Sequence, residues 1–348
     1  MDQTSFTREE LLADHAHAAP HEVAGWRLHG GLDATGRYLP PRMLFREPAV
    51  RAWERSLLAR GGTLLPADLS LLPAPIFANL EQQKLLLRRG LGQTLWNTLT
   101  ITGVIEARGR LLAEIPAPDF AEVVKDDLSQ TALGHLQKGL LEAHGFDEGG
   151  VPNSGLGAHD AMWFALRDLA FGPDAYPMCE IPESIARPDG TRLCPALPAG
   201  HEMMISLLAN VLLIEIRAEK VFTFVQALLR EHALFDAPAA DLDLAHEMVA
   251  RIRADEAVHV AYLRLVLSEL RACTFRNPEG GSVAGSAVLD PLWQAVVRWH
   301  AVDNPRLARA QMEPVLRARI LAHPEGPEIL EAFERLADPA PAEARSIP

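Results

Sequence analysis

Cysteine is scarce in this sequence, and the few cysteines present have no characteristic spacing. Cys179, Cys194 and Cys273 are the three cysteines among 348 residues, and no Cys-x-x-Cys pair occurs. A disulfide framework is built from an even set of cysteines, and a zinc ribbon from closely spaced pairs. The sequence indicates neither class, and a reducing cytoplasm is the expected compartment.

A membrane-length hydrophobic run and an excess of basic residues are also lacking. The longest apolar run, residues 203–216, includes Asn210 and Glu215 and is shorter than the ~20 residues that span a bilayer. The first residues are polar and acidic, unlike a signal peptide. The net charge of −13 repels a phosphate backbone. We therefore expect a cytoplasmic protein with neither a membrane nor a nucleic acid as its partner.

Helical periodicity fills most of the remaining chain. With 48% hydrophobic and 23% charged residues the composition is that of a globular protein. Apolar residues recur with helical spacing in segments separated by breaks rich in proline, glycine and aspartate. These segments are residues 77–89, 92–115, 119–144, 201–232 and 242–272. The pattern predicts an all-α fold within a single domain, residues 1–348.

Loop lengths suggest how the helices pack. Short loops join 92–115 to 119–144 and 201–232 to 242–272, which predicts two antiparallel hairpins. Together they would form a ferritin-like four-helix bundle over residues 92–273, with a long crossover at 145–200 that contains a helix from His159 to Phe171. Residues 1–91 are expected to wrap around this bundle, and residues 274–348 to form a helical extension.

The last long helix places two chemically active side chains in an apolar stripe. Glu256 and His259 lie at alternating steps of three and four residues among Val249, Ile252 and Leu263. A Glu-x-x-His motif is expected by chance in a chain of this composition, so its position in the stripe is what matters. A buried carboxylate must be paired, hydrogen-bonded or bound to a metal.

The other predicted bundle helices carry ligand-type residues in equivalent stripes. These residues are Glu106 in the first helix, His135 and Glu142 in the second, and Glu215 and Glu219 in the third. Glu219 and Glu256 are equally distant from their connecting loop, whereas Glu215 lies one turn further away. The sequence therefore predicts a metal site at mid-helix height with Glu106, His135, Glu219, Glu256 and His259 as ligands.

These residues and the run Ala254–Tyr262 resemble the ferritin-like di-iron carboxylate superfamily. The Asp255-Glu256-x-x-His259 helix is similar to that of acyl-carrier-protein desaturases and rubrerythrin-like proteins, and the resemblance covers about half of the chain. It implies two iron ions held by two glutamates and two Glu-x-x-His motifs. A single ion, and manganese in place of iron, remain as alternatives.

The second predicted helix departs from that family pattern. Ala132 stands where Glu-x-x-His135 would place its glutamate. Glu142, or His159 and Asp160 from the crossover, could supply a substitute ligand, and Glu215 could be a further ligand or a supporting group. Asp255 is the kind of carboxylate that orients a ligating histidine, here expected to be His135.

The predicted function is an oxygenase or oxidase that uses O2 on a small organic substrate. Carboxylate and imidazole ligands suit Fe(II) and Mn(II). The sequence predicts no catalytic residues other than the metal ligands and no site for an organic cofactor. The resemblance also implies an electron-donor protein as a partner. The alternative is a non-enzymatic ferritin-like bundle that binds a metal or has lost it. A homodimer would be typical of a bundle with an apolar exterior.

Overall fold

The computed structural model describes residues 3–188, 191–277 and 280–337. Helices dominate this part of the chain, and its strands form three short two-stranded antiparallel hairpins. The hairpins are β1 (His21–Val23) with β2 (Trp26–Leu28), β3 (Gly31–Leu32) with β4 (Tyr38–Leu39), and β5 (Thr274–Arg276) with β6 (Ser282–Ala284). The predicted all-α class is confirmed.

The centre of the molecule is the antiparallel pair formed by α7 (Ala199–Leu229) and α8 (Ala239–Ala272). Prolines at positions 198 and 238 immediately precede the two helices, where the absence of an N–H has no cost. Both helices match the predicted segments 201–232 and 242–272. Their apolar stripes are buried over almost their whole length, so packing rather than propensity holds them.

Three shorter helices complete the layer around this pair. They are α4 (Gln93–Gly109), α5 (Leu140–Gly149) and α6 (His159–Phe171). The bounds of α6 are those predicted from the sequence. It packs extensively against both α4 and α8, while α5 packs against α4 and α6. The crossover helix α6 is therefore part of the central packing and not a cover over it.

The predicted helix 119–144 is wrong. Its first half contains a single 3₁₀ turn, Phe120–Glu122, and a second 3₁₀ segment covers Leu133–Lys138. The Asp127 carboxylate accepts a hydrogen bond from the Ser129 amide, a local bond that competes with helix formation. Gly139 then adopts a left-handed conformation with φ of 111° before α5 begins. Polar turn chemistry thus prevails over the apolar periodicity, and the helix that does form lies later in the chain.

The two ends of the chain pack onto this centre. At the N-terminal end lie α1 (Arg8–Leu11), α2 (Met43–Ala59) and α3 (Leu80–Arg88), and α2 contacts α8 directly. Beyond α8 come α9 (Gly285–Arg298), a π-helical turn (Trp299–Asp303), α10 (Asn304–Leu321) and α11 (Gly326–Arg335). Within the described residues, α7 is the one helix long and apolar enough to cross a bilayer, but most of it is buried in the protein interior.

Candidate metal centre

Seven acidic and imidazole side chains converge in the interior between five helices. All of them are buried. They are Glu106 of α4, His144 and Glu148 of α5, His159 of α6, Glu215 of α7, and Glu256 and His259 of α8. Ionisable groups are rarely buried without a partner of opposite charge or a metal. The cluster therefore calls for a ligand.

One group of four residues has the geometry of a metal site. His144, Glu148, Glu215 and His259 each place one ligand atom within 4.8 Å of the others. His144 Nε2 lies 3.1 Å from Glu215 Oε1 and 3.3 Å from Glu148 Oε1, and His259 Nδ1 lies 3.2 Å from Glu148 Oε1. Two nitrogens and two carboxylate oxygens thus surround one point, a suitable donor set for a divalent cation.

A second group of four adjoins the first. Glu106, Glu148, His159 and Glu256 satisfy the same distance limit. His159 Nδ1 lies 3.1 Å from Glu256 Oε1 and 3.5 Å from Glu148 Oε1, and the Trp163 indole donates a hydrogen bond of 3.2 Å to Glu106 Oε1. This group offers one nitrogen and three carboxylates, so the two positions have unequal donor sets.

Two glutamates connect the positions. Glu148 belongs to both groups. The two oxygens of Glu256 point in different directions, because Oε1 lies beside His159 and Oε2 lies 2.7 Å from His259 Nδ1. Carboxylates placed in this way can bridge two ions. The arrangement could hold a dinuclear centre as well as a single ion.

Several atoms that face this centre contact oppositely charged neighbours but form no hydrogen bond of good geometry. They are His144 Nε2, Glu148 Oε1, His159 Nδ1 and Glu256 Oε1. A buried polar atom that lacks a hydrogen bond lowers the stability of the folded protein by about 1–3 kcal/mol. A metal ion held between these four atoms could satisfy them.

The three histidines are each held by their second ring nitrogen. His159 Nε2 lies 2.9 Å from Asp255 Oδ2, His259 Nε2 lies 3.1 Å from Asp147 Oδ2, and His144 Nδ1 lies 2.7 Å from the Tyr262 hydroxyl. Such contacts fix the ring orientation and tautomer of metal-binding histidines. The cluster is therefore oriented by its surroundings.

The two supporting aspartates have different neighbours, all from the N-terminal segment. Asp147 forms buried ion pairs with Arg42, whose Nε lies 2.9 Å away, and with Arg46, whose Nη1 lies 2.6 Å away. Asp255 instead accepts a 3.1 Å hydrogen bond from the Tyr38 hydroxyl and lies 3.5 Å from His29 Nε2. Asp147 is thus neutralised by two cations, whereas Asp255 is supported by nominally neutral groups.

His29, His159 and Asp255 form a third compact group. It uses the nitrogen of His159 that is directed away from the other six cluster residues. Its Asp255 Oδ2 is already bonded to His159 and to Tyr38. We interpret this group as support for His159.

The charges within the cluster strongly perturb its acid–base properties. Burial and the neighbouring carboxylates Glu148 and Glu256 raise the pKa of Glu106 and of Glu215 well above the usual range. Burial opposes ionisation of Glu256 as well, but His259 and His159 outweigh it and lower the pKa of Glu256 to about 2. Without a cation, protons must offset part of the negative charge.

The predicted ligands are divided between this cluster and other places. Glu106, Glu256 and His259 lie in the cluster, and so do Glu215 and His159, which the sequence offered as alternative or additional ligands. Asp255 lies beside them and supports His159 rather than His135.

The remaining predicted residues lie away from it. His135 accepts a hydrogen bond from the Phe6 amide, and its other ring nitrogen contacts the Thr131 carbonyl. Glu219 pairs with Arg253 near the surface, Glu142 pairs with Arg8, and the Asp160 carboxylate accepts the Ala158 and Ala161 amides at the start of α6. His135 and Glu219, both predicted as ligands, therefore lie outside the cluster and contact other groups. Glu142 and Asp160 do not supply the missing carboxylate.

His144, Asp147 and Glu148 were not identified from the sequence as site residues. The chain contains the dipeptide Asp-Glu at two places, 147–148 and 255–256, and each has a histidine within one helical turn. In the structure the aspartate of each dipeptide supports a histidine on another helix, and the glutamates become the two bridging candidates. That repeated dipeptide is the signal by which they could have been found.

Comparison with known proteins gives no further guidance. No protein-family model, no curated protein and no solved structure matches this chain. The chemistry of the centre is therefore inferred from its own side chains.

Proposed function

We propose that this protein is a non-haem iron oxidoreductase with a dinuclear centre, an oxygenase or oxidase that uses O2 on a small organic substrate. The observation that carries the proposal is the buried set of four glutamates and three histidines, four of which have an atom without a well-formed hydrogen bond. We further propose that α4, α6, α7 and α8 form a ferritin-like bundle, in which the crossover helix α6 takes the place that the sequence predicts for residues 119–144.

Charge balance supports two ions rather than one. Fully ionised, Glu106, Glu148, Glu215 and Glu256 carry four negative charges, which two divalent cations neutralise. The buried arginines nearby, Arg42 and Arg46, pair with Asp147 instead. A single divalent cation would leave excess negative charge in the interior, where its desolvation costs several kcal/mol.

The donor types support iron, with manganese as the alternative. The seven side chains offer only carboxylate oxygen and imidazole nitrogen, a set that suits Fe(II) and Mn(II). Bound iron would supply O2 binding and electron transfer, with the electrons coming from a partner protein. The chain itself orients His159 and His259 through Asp255 and Asp147. The stacked rings of Trp163 and Phe222, beside Glu106, help to exclude water.

Metal analysis of variants tests this proposal. The protein is expressed with supplementary iron and manganese, and its metal content is measured by elemental analysis. Wild-type protein should contain up to two equivalents, and both the Glu148→Ala variant and the Glu256→Ala, His259→Ala double variant should lose most of it. Glu219→Ala is the matched control, because it removes a carboxylate from α7 outside the cluster. Folded wild-type protein without metal would overturn the proposal.

A second candidate is a bundle that binds metal without acting on an organic substrate. Two cavities in the described part of the chain, of about 450 and 170 Å³, are lined by residues outside the cluster. O2 uptake by the iron-loaded, chemically reduced protein separates the candidates: repeated turnover supports the oxidoreductase, and a single stoichiometric uptake supports the second candidate.

A further inference from the structure

A cavity of about 170 Å³ lies behind the metal cluster, on the outer side of α7. Arg217, Lys220 and Val221 of α7 line it, and their helical spacing places them on the face opposite Glu215. The segment 72–77, the π-helical turn and α10 form the remaining walls. The cavity is therefore separate from the proposed metal centre.

Two cations line this cavity without an acidic partner. Arg217 donates to the carbonyl oxygen of His300, and Lys220 donates to those of Leu72 and Ala74. Neither forms an ion pair with any carboxylate of the described residues. Backbone carbonyls satisfy their hydrogen bonds but leave their charge uncompensated. Burial lowers the pKa of both side chains, as expected for cations that lack a counter-charge.

The cavity also contains a buried acceptor without a donor. The His300 side chain lines it and is 1% exposed. Because the Asn210 amide group donates to the Ser206 carbonyl, Asn210 Oδ1 is the acceptor for His300 Nε2 at 3.0 Å. His300 Nδ1 is then a bare acceptor, and it has no hydrogen-bond partner. Because His300 Nδ1 is itself inaccessible to solvent, the two cations are the polar groups that remain available for a ligand.

The other walls are apolar and set the size of that ligand. They are formed chiefly by Leu72, Ile76, Phe77, Val221 and Met312. An engineered protein cavity of about 150 Å³ accommodates benzene, so this one suits a body of about one ring. The Arg309 guanidinium lies over the Phe77 ring, 5.1 Å from its centroid, and its charge is paired with Glu313.

We propose that this cavity binds a small monocarboxylate with an apolar body no larger than a single ring. The carboxylate lies between Arg217 and Lys220, and the apolar body contacts Phe77 and Met312. This inference is independent of the metal centre, since none of these residues belongs to the cluster.

Calorimetric titration of the full-length protein tests the proposal with benzoate as the probe. Benzoate should bind measurably, and the Arg217→Gln, Lys220→Gln variant should bind it at least about tenfold more weakly, because charge-assisted hydrogen bonds are lost. Arg306→Gln is the matched control. It removes an exposed arginine of α10 outside the cavity and should leave benzoate binding unchanged.

Two further ligands and one further variant make the test specific. Benzyl alcohol should bind at least about tenfold more weakly than benzoate, since it lacks the charge. Ala308→Leu fills the cavity without changing its charge and should also abolish benzoate binding. No binding of benzoate, equal binding of benzyl alcohol, or equally strong binding of inorganic phosphate would each overturn the proposal. Thermal unfolding of every variant verifies that it is folded.

Discussion

Replacing Asp147 by asparagine should destabilise the metal-free protein much more than the same change at Asp255. Both aspartates support a cluster histidine, and both side chains are inaccessible to solvent. Only Asp147 also neutralises two arginines, Arg42 and Arg46, whose side chains are 7% and 0% exposed. The Asp147→Asn variant leaves these two charges buried and uncompensated.

The expected magnitudes follow from the partners that each change removes. Breaking a buried ion pair by removing one partner costs about 3–5 kcal/mol. Asp255→Asn removes hydrogen bonds to His159 and to the Tyr38 hydroxyl, for which about 1–3 kcal/mol is expected. The free energy of unfolding of the two variants should therefore differ by about 2 kcal/mol.

Urea unfolding of protein treated with a chelator measures this difference without the contribution of metal binding. The Arg46→Met, Asp147→Asn double variant serves as the control, because it removes one of the two uncompensated arginine charges. Its free energy of unfolding should be at least about 1 kcal/mol higher than that of Asp147→Asn. With metal present, both single variants should bind it about 10–100-fold more weakly, since each releases the outer nitrogen of a histidine. Equal losses of stability in the two single variants, or no recovery in the double variant, would refute the reasoning.

Four other variants give distinct outcomes. Glu215→Gln should lose metal, whereas Glu219→Gln should keep it. The free energy of unfolding of Glu219→Gln should fall by less than about 1 kcal/mol, because the half-exposed ion pair with Arg253 contributes little. Equal metal contents in the two variants would contradict this contrast. His135→Ala should keep its metal. Its free energy of unfolding in urea should fall by about 2 kcal/mol, because the variant removes a buried ring whose centroid lies 4.6 Å from that of Trp53. Burial and the neighbouring Arg217 lower the pKa of His300 from 6.5 to about 3. As the pH falls below 6.5, the unfolded chain therefore takes up a proton at this residue that the folded protein does not, and the stability of the folded protein declines. His300→Gln should therefore reduce the stability lost between pH 7 and pH 5 by about 2 kcal/mol, and an unchanged loss in urea titrations at both pH values would count against a neutral buried imidazole.

The long helices could be predicted because their signal is local. In α7 and α8 apolar residues recur with the helical period along almost the whole length of each helix, as a buried stripe requires. Glu256 and His259 could be selected for the same reason, since polar residues inside such a stripe must be explained by what surrounds them. The sequence by itself therefore determined the all-helical class and this part of the site.

The second helix shows where local information was insufficient. Residues 119–144 have an acceptable apolar period, but the Asp127 turn and the left-handed Gly139 interrupt it. The cluster residues that replace the ligands predicted there lie one helix later, in α5. His144 and Glu148 lie in a helix of ten residues, too short for its periodicity to identify a buried face.

Only the tertiary structure decided which carboxylates meet. Glu215 and Glu219 lie four residues apart on the same face of α7, so their spacing cannot separate them. His144 of α5 approaches α7 at the level of Glu215, so Glu215 joins the cluster, whereas Glu219 pairs with Arg253. In the same way, the N-terminal segment places Arg42 and Arg46 against Asp147, about a hundred residues away in the chain. Contacts between distant segments depend on how the helices pack, and one-dimensional periodicity carries no information about that.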